Sequence, residues 1–234
     1  MSEELSPAAP CPVCGGRERS FEPVLWHELA EAWGLSADER RDIDRQQGER
    51  CLGCGANLRS MALAAALREV LGTQHWLAEC AAGPERPGLR ILEVNEAGSL
   101  SSLLARWPQR RLVRFPEVDL AALPFDSGCF DLVVHSDTLE HVPDPVRALR
   151  ECHRVLAAGG ACCFTVPVVA GRLTRSRRGL AASWHGEPER CAPDQLVHTE
   201  YGADVWRQPL EAGFERLSVH SVEFPCALAW TCWR

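Results

Sequence analysis

The sequence contains no apolar run approaching the roughly 20 residues that would span a bilayer. Its first seven residues are acidic and lack the apolar stretch of a secretory signal. Both absences lead to the expectation of a cytoplasmic protein with no membrane contact. Positive charge is also in deficit. The 25 basic side chains face 32 acidic ones, for a formal net charge of −7, which disfavours broad attraction to nucleic acid or anionic lipid. Internal repeats and low-complexity tracts are missing. With 46% hydrophobic and 24% charged residues, the composition is that of an ordinary globular chain and not a disordered one. A chain of 234 residues can bury one large core and carry a small appendage.

Cysteine, by contrast, is plentiful. In a reducing compartment twelve cysteines divide between metal ligands and buried thiols. Cys129, Cys152, Cys162, Cys163 and Cys232 lie in or beside apolar runs and read as core or edge residues. Cys11-x-x-Cys14-Gly15-Gly16 and Cys51-x-x-Cys54-Gly55 form two knuckles of one shape. Two intervening residues let both thiolates face one ion, and the glycine lets backbone amides turn toward sulfur. Four thiolates close a tetrahedral shell, so Cys11, Cys14, Cys51 and Cys54 are expected to hold a structural Zn2+. Two unrelated cysteine pairs, or a redox pair, are the alternative. The spacer between the knuckles predicts an inserted helix near residues 23–33. His27 lies there and reads as a surface or packing residue.

Three segments follow: a zinc module over 1–56, a helical connector and linker over 57–88, and an α/β domain over 89–234. Within the connector, residues 57–71 have helical periodicity stopped by Gly72, a second short helix covers 74–81, and 83–88 is a linker. Beyond it, strands are predicted at 89–95, 111–115, 130–136 and 161–166, and helices at 99–107 and 145–156. Asp144-Pro145 opens the second of these helices and Gly159-Gly160 closes it. An irregular stretch over 168–198 precedes a helix at 203–212 and strands at 214–222 and 227–233. Such alternation implies a mostly parallel sheet covered on both faces, with an antiparallel hairpin at one edge and a ligand crevice at the strand C-termini.

Asp119-x-x-x-Leu123-Pro124-Phe125, then Phe130-Asp131-Leu132-Val133, Leu139-Glu140-His141-Val142 and Arg154-Val155-Leu156-x-x-Gly159-Gly160 occur in one order. In that order and spacing they resemble the class I methyltransferases of the type 11 group, over about residues 89–222. The resemblance implies a Rossmann-like domain, S-adenosyl-L-methionine as cofactor, and methyl transfer to a small-molecule acceptor. It also implies roles for particular residues. Glu93 closes the first strand where a glycine-rich loop begins, Asp119 and the amide of Leu120 meet the adenine, and Ser136 and Asp137 lie beside the reacting methyl. The chain departs from the family at Asn95 to Ser99, where glycines are replaced and Gly98 stands one place out of register. It departs again at the ribose acid, whose place is near Arg114, with Glu117 as a substitute.

Methyl transfer needs alignment, and a base only where the acceptor holds its proton. His135, Asp137 and His198 are the catalytic candidates, with His135 equally readable as a strand residue packed under a helix. Glu140 and His141 orient substrate, hold a divalent ion as in some related quinone methyltransferases, or pin the adjacent helix. Arg172, Arg175, Arg177 and Arg178 suggest a positive lid for an anionic acceptor, or a solvated loop. Trp206, Trp230 and Trp233 are expected to pack the sheet edge. Two other readings stay open: a methyltransferase-like fold that has lost methyl transfer and serves binding or another reaction, and an RNA methyltransferase, which the acidic balance opposes.

Overall fold

A computed structural model of the chain describes residues 9–83, 86–185 and 193–234. Parts of the expected linker and of the irregular stretch, residues 84–85 and 186–192, lie outside the described residues. The first knuckle leads into strand β1 (Arg19–Phe21), then helices α1 (His27–Ala32) and α2 (Ala37–Gly48), and strand β2 (Glu49–Cys51), which pairs antiparallel with β1. Helix α2 exceeds the single insert expected at 23–33. Its start is a capping box: Ser36 accepts from the Glu39 amide while Glu39 accepts from the Ser36 amide.

Helix α3 (Leu58–Leu71) is capped by the Asn57 side chain, which accepts from the Ser60 amide, and Gly72 stops it in left-handed geometry. Helix α4 (Leu77–Ala82) docks on the first knuckle, because its Leu77 and Ala78 amides donate to the Pro12 and Val13 carbonyls. Those amides have no partner inside the helix, so the knuckle satisfies them.

The main sheet has six strands: β3 (Ile91–Val94), β4 (Arg110–Val113), β5 (Phe130–Ser136), β6 (Leu156–Thr165), β10 (Arg216–Val222) and β11 (Ala227–Trp233). Their order is β10-β11-β6-β5-β3-β4, with β3 to β6 parallel and β10 and β11 forming the antiparallel edge hairpin. The Rossmann-like α/β architecture is therefore as expected. Two details differ. The 99–107 helix shrinks to a 3-10 turn and helix α5 (Ser101–Leu104). Gly159-Gly160 also lies inside β6, not at the end of helix α6 (Pro145–Val155). A Cβ on Gly160 would fall 2.9 Å from the Ala157 carbonyl oxygen, so only glycine permits this kink beside β5.

Strand alternation sends side chains into two cores. On one face, Ala161, Cys163, Ala227 and Ala229 are small and let α3 lie close; Cys11, Val13 and Cys51 join this same core. On the other, Cys152 of α6 meets Val133, Cys162 and Phe164, with helix α7 (Arg207–Ala212) alongside. The thiols of Cys152, Cys162, Cys163 and Cys232 are fully buried. Trp230 is buried too, but Trp206 is 46% exposed and does not pack the sheet. Strands β7 (Val168–Val169) and β8 (Arg175–Ser176), in the stretch expected to be irregular, join β9 (Thr199–Gly202) just beyond it in a small sheet of order β7-β9-β8. Among the described residues, no helix is long and apolar enough to cross a membrane.

Candidate functional site

The four knuckle cysteines place their sulfurs within 4.8 Å of one another. Cys11 and Cys54 Sγ are 3.8 Å apart, and Cys14 and Cys51 Sγ are 3.6 Å apart. With a metal–sulfur distance of about 2.3 Å, the edge of a tetrahedral site is about 3.8 Å, so the donor set fits zinc. Gly15 and Gly55, which follow the knuckles, take φ 79° and 73°, geometry that favours glycine, and a Cβ on Gly16 would come within 3.1 Å of the Cys51 sulfur. His27 stays outside, exposed and paired with Glu31.

At the C-terminal ends of β3, β4 and β5 lies a cavity of about 470 Å³. Asn95 and Phe115 enter it after β3 and β4, Asp119 and Leu120 from the following turn, and Asp137 and Thr138 after β5. His141 forms part of the wall, and His185, Asp194 and His198 face it from the segment beyond β6. Phe115, Val118, Leu120, Val142 and Pro143 supply apolar surface suited to a planar base. Asp119 uses one oxygen, Oδ1, to accept the Ala121 amide at 2.8 Å.

The departures from the family pattern acquire a physical reading. Asn95 takes φ 55°, the left-handed geometry for which glycine is favoured and which asparagine tolerates. Its side chain binds the loop together, accepting from the Phe115 amide at 3.1 Å and donating to Thr138 Oγ1 at 3.4 Å. Arg114 pairs with Glu96 and holds its carboxyl below the usual carboxylate range. That pairing answers the extra negative charge in the loop and removes Arg114 from the ribose position.

Five sequence candidates do not reach the cavity. Glu93 is sealed in the core, where its carboxylate accepts the Ala97 amide at 2.8 Å and Arg110 Nε at 2.7 Å. It shapes the loop and is not free for a ligand. Gly98 faces Ser60, and Glu117 is exposed outside the cavity. Ser136 turns its hydroxyl to Thr165 Oγ1 at 2.8 Å. His135 is fully buried, its ring stacked on Phe164 at 5.1 Å, and Phe164 in turn is stacked on Trp230. Strand alternation turns it under α6, so it is a packing residue and the catalytic expectation for it is withdrawn.

The positive lid also dissolves. All 25 basic side chains are arginine, and three of the four in this stretch are committed. Arg172 pairs with Glu39 at 2.6 Å and donates to the Trp33 and Gly34 carbonyls. Arg175 and the buried Arg177 both pair with Glu200. They fasten the segment to α2 and to β9 instead of receiving an anion.

Sequence reasoning missed Arg59, which reaches from α3 to pair with Asp137 at the mouth of β5. Burial pulls its guanidinium down to about 10. Its one signal was a charge beside apolar neighbours at the start of a helix buried on nearly every side. Below Asp137 sits Glu140, 1% exposed, and neither carboxyl oxygen has a hydrogen-bond partner among the described residues. Burial pushes it up to about 8. Its Oε1 lies 3.6 Å from His141 Nε2 and 3.8 Å from His185 Nδ1, while His141 Nδ1 is 3.0 Å from the Leu196 carbonyl oxygen. One donor atom from each of Glu140, His141 and His185 lies within 4.8 Å of the others, a set that could also hold a cation. Burial holds His141 and His198 below the usual histidine value, and burial together with His141, Arg59 and Arg177 brings His185 down to about 3.

Glu140 should therefore leave a signature in stability. A carboxyl raised in the fold favours folding at low pH, and that contribution is lost as pH rises from about 4.5 to about 8. Glu140→Gln is expected to flatten this fall, leaving the variant ahead at pH 8 by on the order of 3 kcal/mol relative to the difference at pH 4. Urea denaturation at both pH values checks it. Parallel pH profiles would show that Glu140 is solvated.

A family model described as a methyltransferase domain matches residues 51–164. The sarcosine/dimethylglycine N-methyltransferase of Halorhodospira halochloris is 42% identical over 59 residues, 25% of this chain and 21% of that protein. The demethylmenaquinone methyltransferase of Thermus thermophilus is 37% identical over 76 residues, 32% of this chain and 34% of that protein. A protein of Mycobacterium tuberculosis described as a probable S-adenosylmethionine-dependent methyltransferase is 31% identical over 118 residues, 50% of this chain and 37% of that protein. The chain thus spans between 21% and 37% of the length of these relatives. Among solved structures, an S-adenosylmethionine-dependent methyltransferase from Mesorhizobium loti matches with TM-score 0.39 and 19% identity, covering 70% of this chain and all of that one. The family match and the ordered motifs place residues 51–164 in the class I S-adenosylmethionine-dependent methyltransferase family, type 11 group, with a four-cysteine cluster at the N-terminal side of that stretch.

Proposed function

We propose that the protein transfers a methyl group from S-adenosylmethionine to a small-molecule acceptor in the cavity at the ends of β3, β4 and β5. The observation that carries this reading is convergence: Asn95, Asp119, Leu120 and Asp137 leave different strands and turns yet line one cavity. Asp119 and Leu120 would hold the adenine over the apolar wall of Phe115 and Val118, with Asn95 and Asp137 toward the amino-acid end. The bound cofactor supplies an electrophilic methyl on a sulfonium. The chain's own residues must then orient the acceptor and take up its proton where it has one.

His198 is the base we favour. It lines the cavity, is only half-buried, and is kept neutral at pH 7 by its lowered pKa. His185 is too weak a base at about 3, and His141 has its Nδ1 against a carbonyl. An anionic acceptor loses its support with Arg172, Arg175 and Arg177 paired. We also propose that Cys11, Cys14, Cys51 and Cys54 hold a structural Zn2+, on the sulfur separations given above.

A second reading, a fold of this family without methyl transfer, is favoured by one observation: neither Arg114 nor Glu117 supplies the ribose acid. Calorimetric titration with S-adenosylhomocysteine decides between them. Micromolar binding is expected, weakened about tenfold or more by Asp119→Ala through loss of a charge-assisted hydrogen bond. No heat at millimolar ligand would sink the methyltransferase reading.

A further inference from the structure

A second cavity, of about 440 Å³, lies on the far side of His185. Its walls come from the N-terminal insert: Val24, Leu25 and Trp26 before and at the start of α1, Leu29 on α1, Trp33 beyond it, and Ile43 on α2. Pro167, just past the C-terminal end of β6, closes it on the sheet side. This end of the parallel sheet is also where the candidate cofactor cavity opens. His185 lines both cavities, with its ring 5.3 Å from Trp33 on one side and 5.1 Å from His141 on the other.

The chemistry of this second cavity is one-sided. Among the described residues no carboxylate or arginine lines it, and the titratable one that does, His185, is neutral across the physiological range. Trp33 Nε1 is already satisfied by Ser183 Oγ at 3.0 Å. Among the described residues Gln47 is the other polar side chain in the lining. Arg172 clamps the insert in place through Glu39 and the carbonyls of Trp33 and Gly34. The cavity is thus a fixed apolar chamber, of a volume within the about 300–1,000 Å³ common for small-molecule sites.

We propose that this chamber holds the apolar tail of the methyl acceptor, whose nucleophilic head passes His185 into the cofactor cavity. The assignment rests on the methyltransferase reading above and adds the substrate class: an uncharged, amphipathic small molecule with an alkyl or aromatic tail. An apolar tail gains about 0.8 kcal/mol for each CH2 it buries, whereas a charged one would be desolvated against tryptophan and leucine without a partner.

The test uses the full chain, calorimetry, and the probes 4-heptylphenol and phenol. Wild-type protein should bind 4-heptylphenol at least thirtyfold more tightly than phenol. Two variants place charge in the chamber without touching the cofactor cavity: Val24→Glu at its 41% exposed rim, and the near-isosteric Gln47→Glu. Each should weaken 4-heptylphenol binding at least tenfold while leaving the affinity for S-adenosylhomocysteine unchanged. Equal affinity for the two phenols, or no effect of either variant, overturns the proposal even if S-adenosylhomocysteine binds. If 4-heptylphenol binds as expected and S-adenosylhomocysteine does not, the chamber stands as an apolar site and the methyltransferase reading falls.

Discussion

Cys51→Ser is expected to abolish stoichiometric zinc and to lower the melting temperature by about 10–20 °C. Structural zinc in isolated finger peptides is worth about 10–16 kcal/mol of apparent folding free energy. Here the knuckles are also braced by the rest of the fold, so we expect a loss of about 5 kcal/mol, and for a chain of this size about 2–4 °C per kcal/mol. The effect should spread because the cysteines are not an isolated bead. Cys11 and Cys51 share a core with Leu58 and Met61 of α3 and with Ala227 and Ala229 of β11. The module is tied to the sheet edge by Arg19 and Arg45 on Glu223 and by Gln46 donating to the Cys226 carbonyl at 2.6 Å. Elemental analysis and calorimetric melting read the two consequences. Full stability in a metal-free Cys51→Ser protein would refute a structural metal.

Asp137→Asn should destabilise the fold by about 3 kcal/mol although the aspartate sits at a cavity. Its partner Arg59 stays charged at pH 7 even with burial pulling it down to about 10. Removing one member of a buried pair strands the other charge, at a cost of about 3–5 kcal/mol. Both side chains are 16% exposed, which places the expected loss at the lower end. Asparagine is the right probe because residue 137 takes φ 45°, which asparagine tolerates and alanine does not. Adding Arg59→Met should restore most of the lost stability by removing the stranded charge. Urea denaturation of Asp137→Asn, Arg59→Met and the double variant measures the coupling. A single variant as stable as the parent would mean that Arg59 finds water or Glu140 instead.

Much of the fold was legible because burial has a period. A strongly β-like run marked β5 at Phe130–Ser136 residue for residue, and Asn57, Asp144, Gly72 and Gly213 announced helix ends that the backbone obeys. Between β4 and β5 the sequence predicts no strand, and none forms. Where local signals competed, reading failed: Gly159-Gly160 looks like a helix stop, yet its positive φ and missing Cβ serve a kink within β6. Helix α2 was hidden because its 12 residues bury only Ile43, Gln46 and Gly48, too sparse an apolar face to stand out.

The candidate site divides the same way. Motif order placed Asn95, Asp119, Leu120, Asp137 and His198 at the cavity, since each follows a strand or closes the long segment. It could not exclude His135, because period two says which face a residue takes but not what covers that face.

By itself the sequence determined the alternating α/β plan, the ordered methyltransferase motifs and the paired cysteine knuckles, all carried by residues close together along the chain. Only the tertiary structure decided which charges are free. It took Glu93 for Arg110, Arg59 for Asp137 and three arginines for Glu39 and Glu200, and it set an apolar chamber against His185. The reason is that a charge's chemistry depends on its nearest neighbours and its access to water, and both come from segments far apart in the chain.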